Sequence, residues 1–589
     1  MIRSAVAALL LRLLSAGRGF ALALALSLAL NVAVFGDIWW RPGRYLFGTG
    51  GDGLKNYYTT VYHAAHDSSV VWFRGMNHPD GDHVLFTDDQ PALAEAFRVL
   101  VRHGALAPAT IPGVMNWLMI SSMVLGAGIL WLVFAELAGP GDANGGLLLA
   151  AVLVGGLAPQ YERLAGHYAL AYAWVIPAAL LLWLKLQRQP RAHRYLGLAL
   201  YLTAVTFIHL YYGAILFLLL TSLAVASAWQ ERRRLGQAVA TVCVAALPLL
   251  VMRLFLALTD PVRDRPEAPI GFLGYRAHWE SLFLPLGHFP ITFLSRVILI
   301  RPWEIESAVY IGLPATLFCA VVVWQGLAAI TRGARAGVWL ELDSNERSMA
   351  FAAIVAALFS LGVPFIFGLD WLLPYLGPIR QFRSLGRFAW AFYYLANILA
   401  FGWLMARCRA GTMRLRWPAL ALLVLAWQVY DYRAGTHARL ANLSELGADG
   451  APARLARSLH LSEAEYQAIW PVPYFHIGGE RVKREPACDV LGSTLQLSWV
   501  TGIPTNGVAM SRTSYAQTVA KIAAHDDTAA LAAFRAGLVD RRPFVVVRRT
   551  RDCPLSPSDR TVIAGSELLY AAIEGADARD SLLVYRFRP

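Results

Sequence analysis

Asp52 lies in Gly50-Gly51-Asp52-Gly53-Leu54-Lys55-Asn56, directly after the first long apolar run and at the head of a polar segment, 41–110. A carboxylate held beside glycines at such an edge can take a proton from a substrate hydroxyl. Gly-Gly-Asp-Gly is also ordinary turn chemistry, in which an aspartate only hydrogen-bonds nearby backbone. Placement at the mouth of a helical bundle favours the base, because ionisable groups at that depth tend to serve function. Lys55, three residues on, is expected to contact the substrate.

The same segment offers Asp88-Asp89, which could coordinate a divalent cation such as magnesium or manganese, or hydrogen-bond a sugar. Their local alternative is Thr87 or Asp88 capping a helix over 91–101. His63, His66, His78 and His83 fall in two close pairs that could bind a transition metal, but their spacing matches no zinc pattern. Residues 55–66 have the periodicity of an amphipathic helix lying along an interface, with aromatic residues anchoring it. Further on, Gln160-Tyr161-Glu162-Arg163-Leu164-Ala165-Gly166-His167 places charge between two apolar runs. Glu162 and Arg163 are either a structural ion pair or, with His167, substrate contacts. His209, followed by Tyr211 and Tyr212, is either a hydrogen-bonded packing residue or a further substrate contact.

Segment 259–306 ends at Glu306, which suits the start of a helix, with Tyr310-Ile311-Gly312 just beyond. Arg380, Arg383 and Arg387 follow one another in Pro378-Ile379-Arg380-Gln381-Phe382-Arg383-Ser384-Leu385-Gly386-Arg387. Guanidinium groups in a cluster suit phosphate or pyrophosphate through paired hydrogen bonds; the alternative is pairing with Asp370 or lipid headgroups.

These residues need a scaffold, and the composition says which kind. The 589-residue chain is 57% hydrophobic and 15% charged, with mean hydropathy +0.47, against about 25% charged residues in a soluble domain. Apolar runs recur near 20–40, 111–137, 146–164, 168–186, 195–210, 212–229, 236–258, 307–331, 349–368, 387–406 and 416–432. They predict a polytopic α-helical membrane protein of about eleven spans. With the N-terminus inside, the segments 1–19, 138–145, 185–194, 230–235, 332–348 and 407–416 hold 17 Lys and Arg against 5 acidic residues. That is the positive-inside pattern, and it accounts for most of the +13 net charge without a nucleic-acid partner. The first run ends in Trp39-Trp40 with no small-residue cleavage site, so a retained span is expected. Residues 433–589 lose the apolar runs and mix helix-like and strand-like stretches, which predicts an extracytoplasmic α/β domain. Cys488 and Cys553 fall there, and an oxidising compartment would pair them; two free thiols are the alternative. No Rossmann-like segment with a phosphate loop appears, which argues against a soluble nucleotide-sugar enzyme.

An early span, an aspartate in the first outer loop, an acid in a later loop, arginine-rich outer loops and a soluble outer domain together resemble the GT-C superfamily of integral-membrane glycosyltransferases and its YfhO-like relatives. The likeness extends over the whole architecture. It implies that Asp52 is the catalytic base and Glu162 the second acidic site. It also implies that Glu306-x-x-x-Tyr310-Ile311-Gly312 is a loop-to-span motif and that Arg383 and Arg387 hold a lipid-linked phosphate. No Asp-x-Asp or Asp-Glu pair directly follows Asp52, which leaves a metal requirement open. The resemblance implies transfer of a sugar from a polyprenyl-phosphate-type donor to a lipid, glycan or protein acceptor, with inversion. It would occur at the outer face of a bacterial inner membrane, with residues 433–589 in the periplasm or outside the cell. Two other readings use the same residues: a transporter or flippase of lipid-linked sugars, and a non-catalytic envelope assembly protein in which Asp52 is a turn.

Overall fold

The computed structural model describes residues 2–139, 145–267, 271–284, 309–331, 342–409, 441–442, 450–478, 482–550, 553–573 and 581–589. Most of these residues are helical. Among them, seven helices are long and apolar enough to cross a membrane: Gly17–Trp39, Pro108–Ala138, Tyr168–Arg188, Leu210–Gln230, Arg232–Thr259, Leu313–Thr331 and Leu385–Ala406. Seven of the eleven expected runs therefore form helices of spanning length. Three others fall short. The run 146–164 breaks after helix Gly145–Gly156 into a 3-10 turn, Pro159–Ala165, because glycines and a proline interrupt it. The runs 195–210 and 349–368 form helices Ala192–Ile208 and Ser344–Ser360, of 17 residues each, about 25 Å long against a hydrocarbon layer of about 30 Å. The last run, 416–432, lies outside the described residues, as does Glu306.

The helix surfaces suit lipid. Leu313–Thr331 buries Ala315 and exposes Leu317, Val323, Trp324 and Leu327. An apolar face of that extent is unfavourable in water. Inside the bundle, polar side chains act as ties. Asn116 on Pro108–Ala138 donates to the backbone oxygens of Pro42 and Tyr45 at 2.9 and 2.7 Å and accepts from Tyr57. It thereby anchors both ends of the segment that carries Asp52.

The C-terminal region is α/β. Strand Ala468–Val472 runs parallel to Phe544–Arg549, which pairs antiparallel with Ser581–Phe587, and that strand pairs antiparallel with Ser566–Ile573. Trp470, Phe544, Val546 and Phe587 fill one face of this sheet against Leu531 and Val562. Cys488 and Cys553 are joined in a disulfide, with Cα atoms 6.1 Å apart, across 65 residues of chain. Closing a loop of that length typically contributes about 2–4 kcal/mol. Cys488→Ser with Cys553→Ser is therefore expected to lower the melting temperature of the protein by several degrees in detergent; an unchanged melting curve would show that the bridge carries no stability.

This region does not stand apart from the loop 41–110. Lys521, with its side chain 3% exposed, donates to the backbone oxygens of Asn77 and His78 and lies 3.0 Å from Asp80. Tyr58 hydrogen-bonds Ser498 at 2.7 Å, and Tyr62 donates to the Gly502 oxygen. Phe475, Leu495 and Val508 belong to the same apolar core as Tyr57 and Leu54.

Candidate active site

Helix Gly51–His66 positions the candidate base. Asp52 is in its first turn, where unpaired backbone N–H groups favour a carboxylate. The expectation of an interfacial amphipathic helix over 55–66 is corrected here: residues Gly53 to Ala64 are all buried. The helix packs between the membrane bundle, the helix Pro91–Arg102 and the C-terminal helix Val490–Thr501, so no face remains for an interface. Two glycines permit this packing. A Cβ on Gly53 would stand 3.0 Å from Gly48 Cα, and one on Gly166, which sits at φ 155°, would stand 3.3 Å from Asp52 Cβ.

The site forms where loops 41–110 and 159–167 meet. Lys55 Nζ is 2.8 Å from Asp52 Oδ1 and 2.8 Å from Asp88 Oδ2. His167 Nε2 is 3.9 Å from Asp52 Oδ2. Asn56 donates to the backbone oxygens of Asp52 and Gly166 at 2.7 and 2.6 Å and so clamps the two loops together. Asp52 keeps a side-chain exposure of 48%, whereas Lys55 keeps 8%. The carboxylate is open to a substrate and the ammonium is not. Lys55 first, and His167 after it, hold the Asp52 carboxyl below its ordinary range against the effect of burial. For Asp88 burial acts upward, but Lys55 and His209 outweigh it and the acid is held low. Burial alone would lower the Lys55 ammonium; the two carboxylates raise it above its usual value. All three groups are therefore charged at neutral pH.

Behind this cluster the chain is strained. Asp88 and Gln90 both adopt left-handed backbone, at φ 63° and 58°, a cost that non-glycine residues bear mainly at functional sites. The helix that follows, Pro91–Arg102, has Gln90 at its N-cap with no capping side chain. Neither Thr87 nor Asp88 caps it, which removes the local explanation for Asp88. Tyr172 from the bundle donates to Gln90 Oε1 at 2.5 Å and pins the turn. Asp89 points the other way, into the interior. It is fully buried, and burial raises its acid to about 7 against His63 and the Thr87 hydroxyl, which lower it. Its neighbour His63 hydrogen-bonds Asp67 through Nδ1 at 2.8 Å.

The remaining expected residues divide. His209 accepts from the Tyr211 backbone and lies within electrostatic reach of Asp88. Arg387 stacks 4.4 Å over the Tyr211 ring, whose centroid is 5.5 Å from that of His209. Arg387, His209, Asp88, Lys55 and Asp52 thus form one contiguous series. Arg383 is exposed and stacks on Tyr275 at 5.3 Å. Arg380 pairs with Glu267, not with the Asp370 proposed as its alternative partner. Arg163 is buried over Trp390 at 5.6 Å, and Glu162 is half-buried in the same 3-10 turn. Tyr310 is half-buried in a lead-in held to Leu282 and Asn397 through Ile311, rather than to the Asp52 cluster.

A divalent ion does not fit the two carboxylates as they stand, since Lys55 Nζ already occupies the bridging place between Asp52 and Asp88. Among the described residues no group of three or more His, Cys, Asp or Glu could hold a metal. The four loop histidines diverge: His63 to Asp67, His66 to Glu463, His83 to Thr259, and His78 against Phe544.

A family described as a domain of unknown function, DUF6311, matches residues 22–433, the apolar helices and both polar loops between them. The chain belongs to this family. No curated protein matches it.

In this DUF6311 chain the arrangement offers one solvent-facing, ionised carboxylate, a buried cation that orders it, and an arginine-lined flank. Sequence reasoning missed Asn56, Tyr172 and Gln90. Asn56 stands one helical turn from Asp52, a spacing that could have pointed to it. The Tyr172–Gln90 bond joins residues 82 apart in sequence and left no local signal.

Proposed function

We propose that the chain is an integral-membrane glycosyltransferase of the GT-C kind, using a polyprenyl-phosphate or -pyrophosphate sugar donor at the outer face of a bacterial inner membrane. The observation that carries this reading is the half-exposed Asp52 carboxylate, ordered by Lys55 and flanked by His167 at the junction of two loops. The N-terminus is cytoplasmic and residues 433–589 lie outside.

In the reaction the acceptor hydroxyl gives its proton to Asp52 while its oxygen attacks the anomeric carbon. The bond from that carbon to the donor phosphate breaks, and the phosphate departs with the electron pair. Arg383 and Arg387 offset the charge that gathers on it. The depressed Asp52 acid keeps the base ionised. It is a weak base, and it accepts the proton only as the forming bond acidifies the acceptor oxygen.

The test is sugar transfer from a radiolabelled polyprenyl-linked donor pool in membranes, with wild type and Asp52→Asn at matched protein levels. Loss of a general base costs about 10²–10⁴-fold, and a drop in that range with donor binding intact is expected. Unchanged transfer would remove Asp52 from the mechanism. Absence of transfer in both proteins would overturn the enzyme reading in favour of lipid flipping.

A further inference from the structure

A second feature with recognition chemistry lies in the C-terminal region. Glu465, Tyr466, Arg541, Pro543, Arg586 and Arg588 line a cavity of about 270 Å³. Three guanidinium groups face one carboxylate, so the lining is net positive. Arg586 is set in place: its Nε donates to Tyr466 Oη at 2.9 Å, and its Nη1 is 3.4 Å from Glu567. The Tyr466 side chain under it is buried at 1% exposure, so the guanidinium rests on a rigid base. Arg541 donates to the Arg535 backbone oxygen at 3.1 Å, and Arg588 is exposed. Neither forms an ion pair among the described residues. The adjacent Arg542, by contrast, is neutralised by Asp540 at 2.6 Å. Of the three cavity arginines, Arg586 is thus partly offset by Glu567, and Arg541 and Arg588 supply the remaining positive charge.

Its position relates it to Asp52. Glu463, two residues before Glu465 of the lining, has its carboxylate 3.7 Å from His66 Nδ1, and Arg542, next to Arg541, donates through Nη1 to the Glu463 backbone oxygen. His66 is the last residue of the helix whose first turn carries Asp52. Fourteen residues at about 1.5 Å each put the two ends roughly 21 Å apart. A single small ligand cannot touch both, whereas an extended glycan can.

We propose that this cavity is a subsite for an anionic sugar, a monosaccharide unit bearing a carboxylate or a phosphate, and that it holds the far end of the acceptor glycan while the near end meets Asp52. Planar guanidinium forks match both anions in paired hydrogen bonds, and the volume suits one sugar ring. The acceptor role rests on the sugar-transfer reading; the anion site itself does not.

The experiment titrates the full chain, in nanodiscs of neutral lipid, with glucuronate, glucose 6-phosphate and glucose by calorimetry. Binding of either anion with no binding of glucose is expected, and the tighter of the two identifies the acid group. Arg541→Ala with Arg588→Ala, both at exposed positions, should weaken that binding at least about tenfold, while Asp52→Asn leaves it unchanged. Equal binding of glucose, no binding of any probe, indifference to the arginine changes, or loss on Asp52→Asn would each overturn the proposal. Intact anion binding in a protein that transfers no sugar would keep the subsite and discard the transfer reading.

Discussion

Lys55→Met is expected to lower the unfolding free energy by roughly 2–4 kcal/mol at neutral pH. Removing one member of a buried pair strands the other, at about 3–5 kcal/mol for full burial; the 26% exposure of the Asp88 side chain places this case toward the lower end. Asp88 bears most of the loss, because Asp52 can turn to water. The pH dependence has a definite sign. Asp52 and Asp88 are both held below their ordinary acid range in the folded chain. Their contribution is therefore present above the unfolded carboxyl range and fades as pH falls through the folded values. The gap between wild type and Lys55→Met should be widest at neutral pH and should close in acid. Adding Asp88→Asn to Lys55→Met removes the stranded charge and should recover at least half of the loss. Thermal unfolding in detergent at several pH values measures all three proteins. An equal loss in the single and double variants would mean that Lys55 acts by packing and not by charge.

The sequence made the scaffold legible where the physics is one-dimensional. A run of twenty apolar residues forms a helix whatever surrounds it, so seven of the expected spans appear as helices of spanning length. The failures fall where local breakers act, at Gly155-Gly156 and Pro159, or where a helix stops at 17 residues. The site was half legible. Asp52, Lys55, Asp88, His167 and His209 could be picked out by residue type, and the structure brings them together. What could not be read was their mutual arrangement. The pairing of Lys55 with Asp88 spans 33 residues and depends on a left-handed turn. The burial of the helix Gly51–His66 depends on the C-terminal region closing over it through Tyr58, Tyr62 and Lys521. Periodicity reports that a helix has a polar side and not what will cover that side.

Asp89→Asn is expected to stabilise the protein at pH 8 and to leave it nearly unchanged at pH 4. The carboxyl is fully buried, and burial raises its acid from an ordinary carboxylate value to about 7. A folded chain that holds this proton more tightly than the unfolded one is favoured by it fully below the unfolded acid value. The advantage drains away as pH rises from about 4 to about 7. That rise corresponds to about 4 kcal/mol, a figure that already includes the groups that face Asp89. Those groups are His63 and the Thr87 hydroxyl, which oppose the loss, and Asp67 and Asp88, whose charges add to it. An amide has nearly the shape of the protonated acid and cannot ionise, so the variant's stability should run flat where that of wild type falls. Melting curves for both proteins at pH 4 and pH 8 decide the matter. Parallel pH dependence, or a less stable variant at pH 8, would show that Asp89 is not the group that titrates. A residue that costs stability at neutral pH is retained for some other return. Asp89 is the middle residue of the strained turn between Asp88 and Gln90, the turn that presents Asp88 to Lys55. Violations of packing rules concentrate where a site must be held in an unfavourable shape.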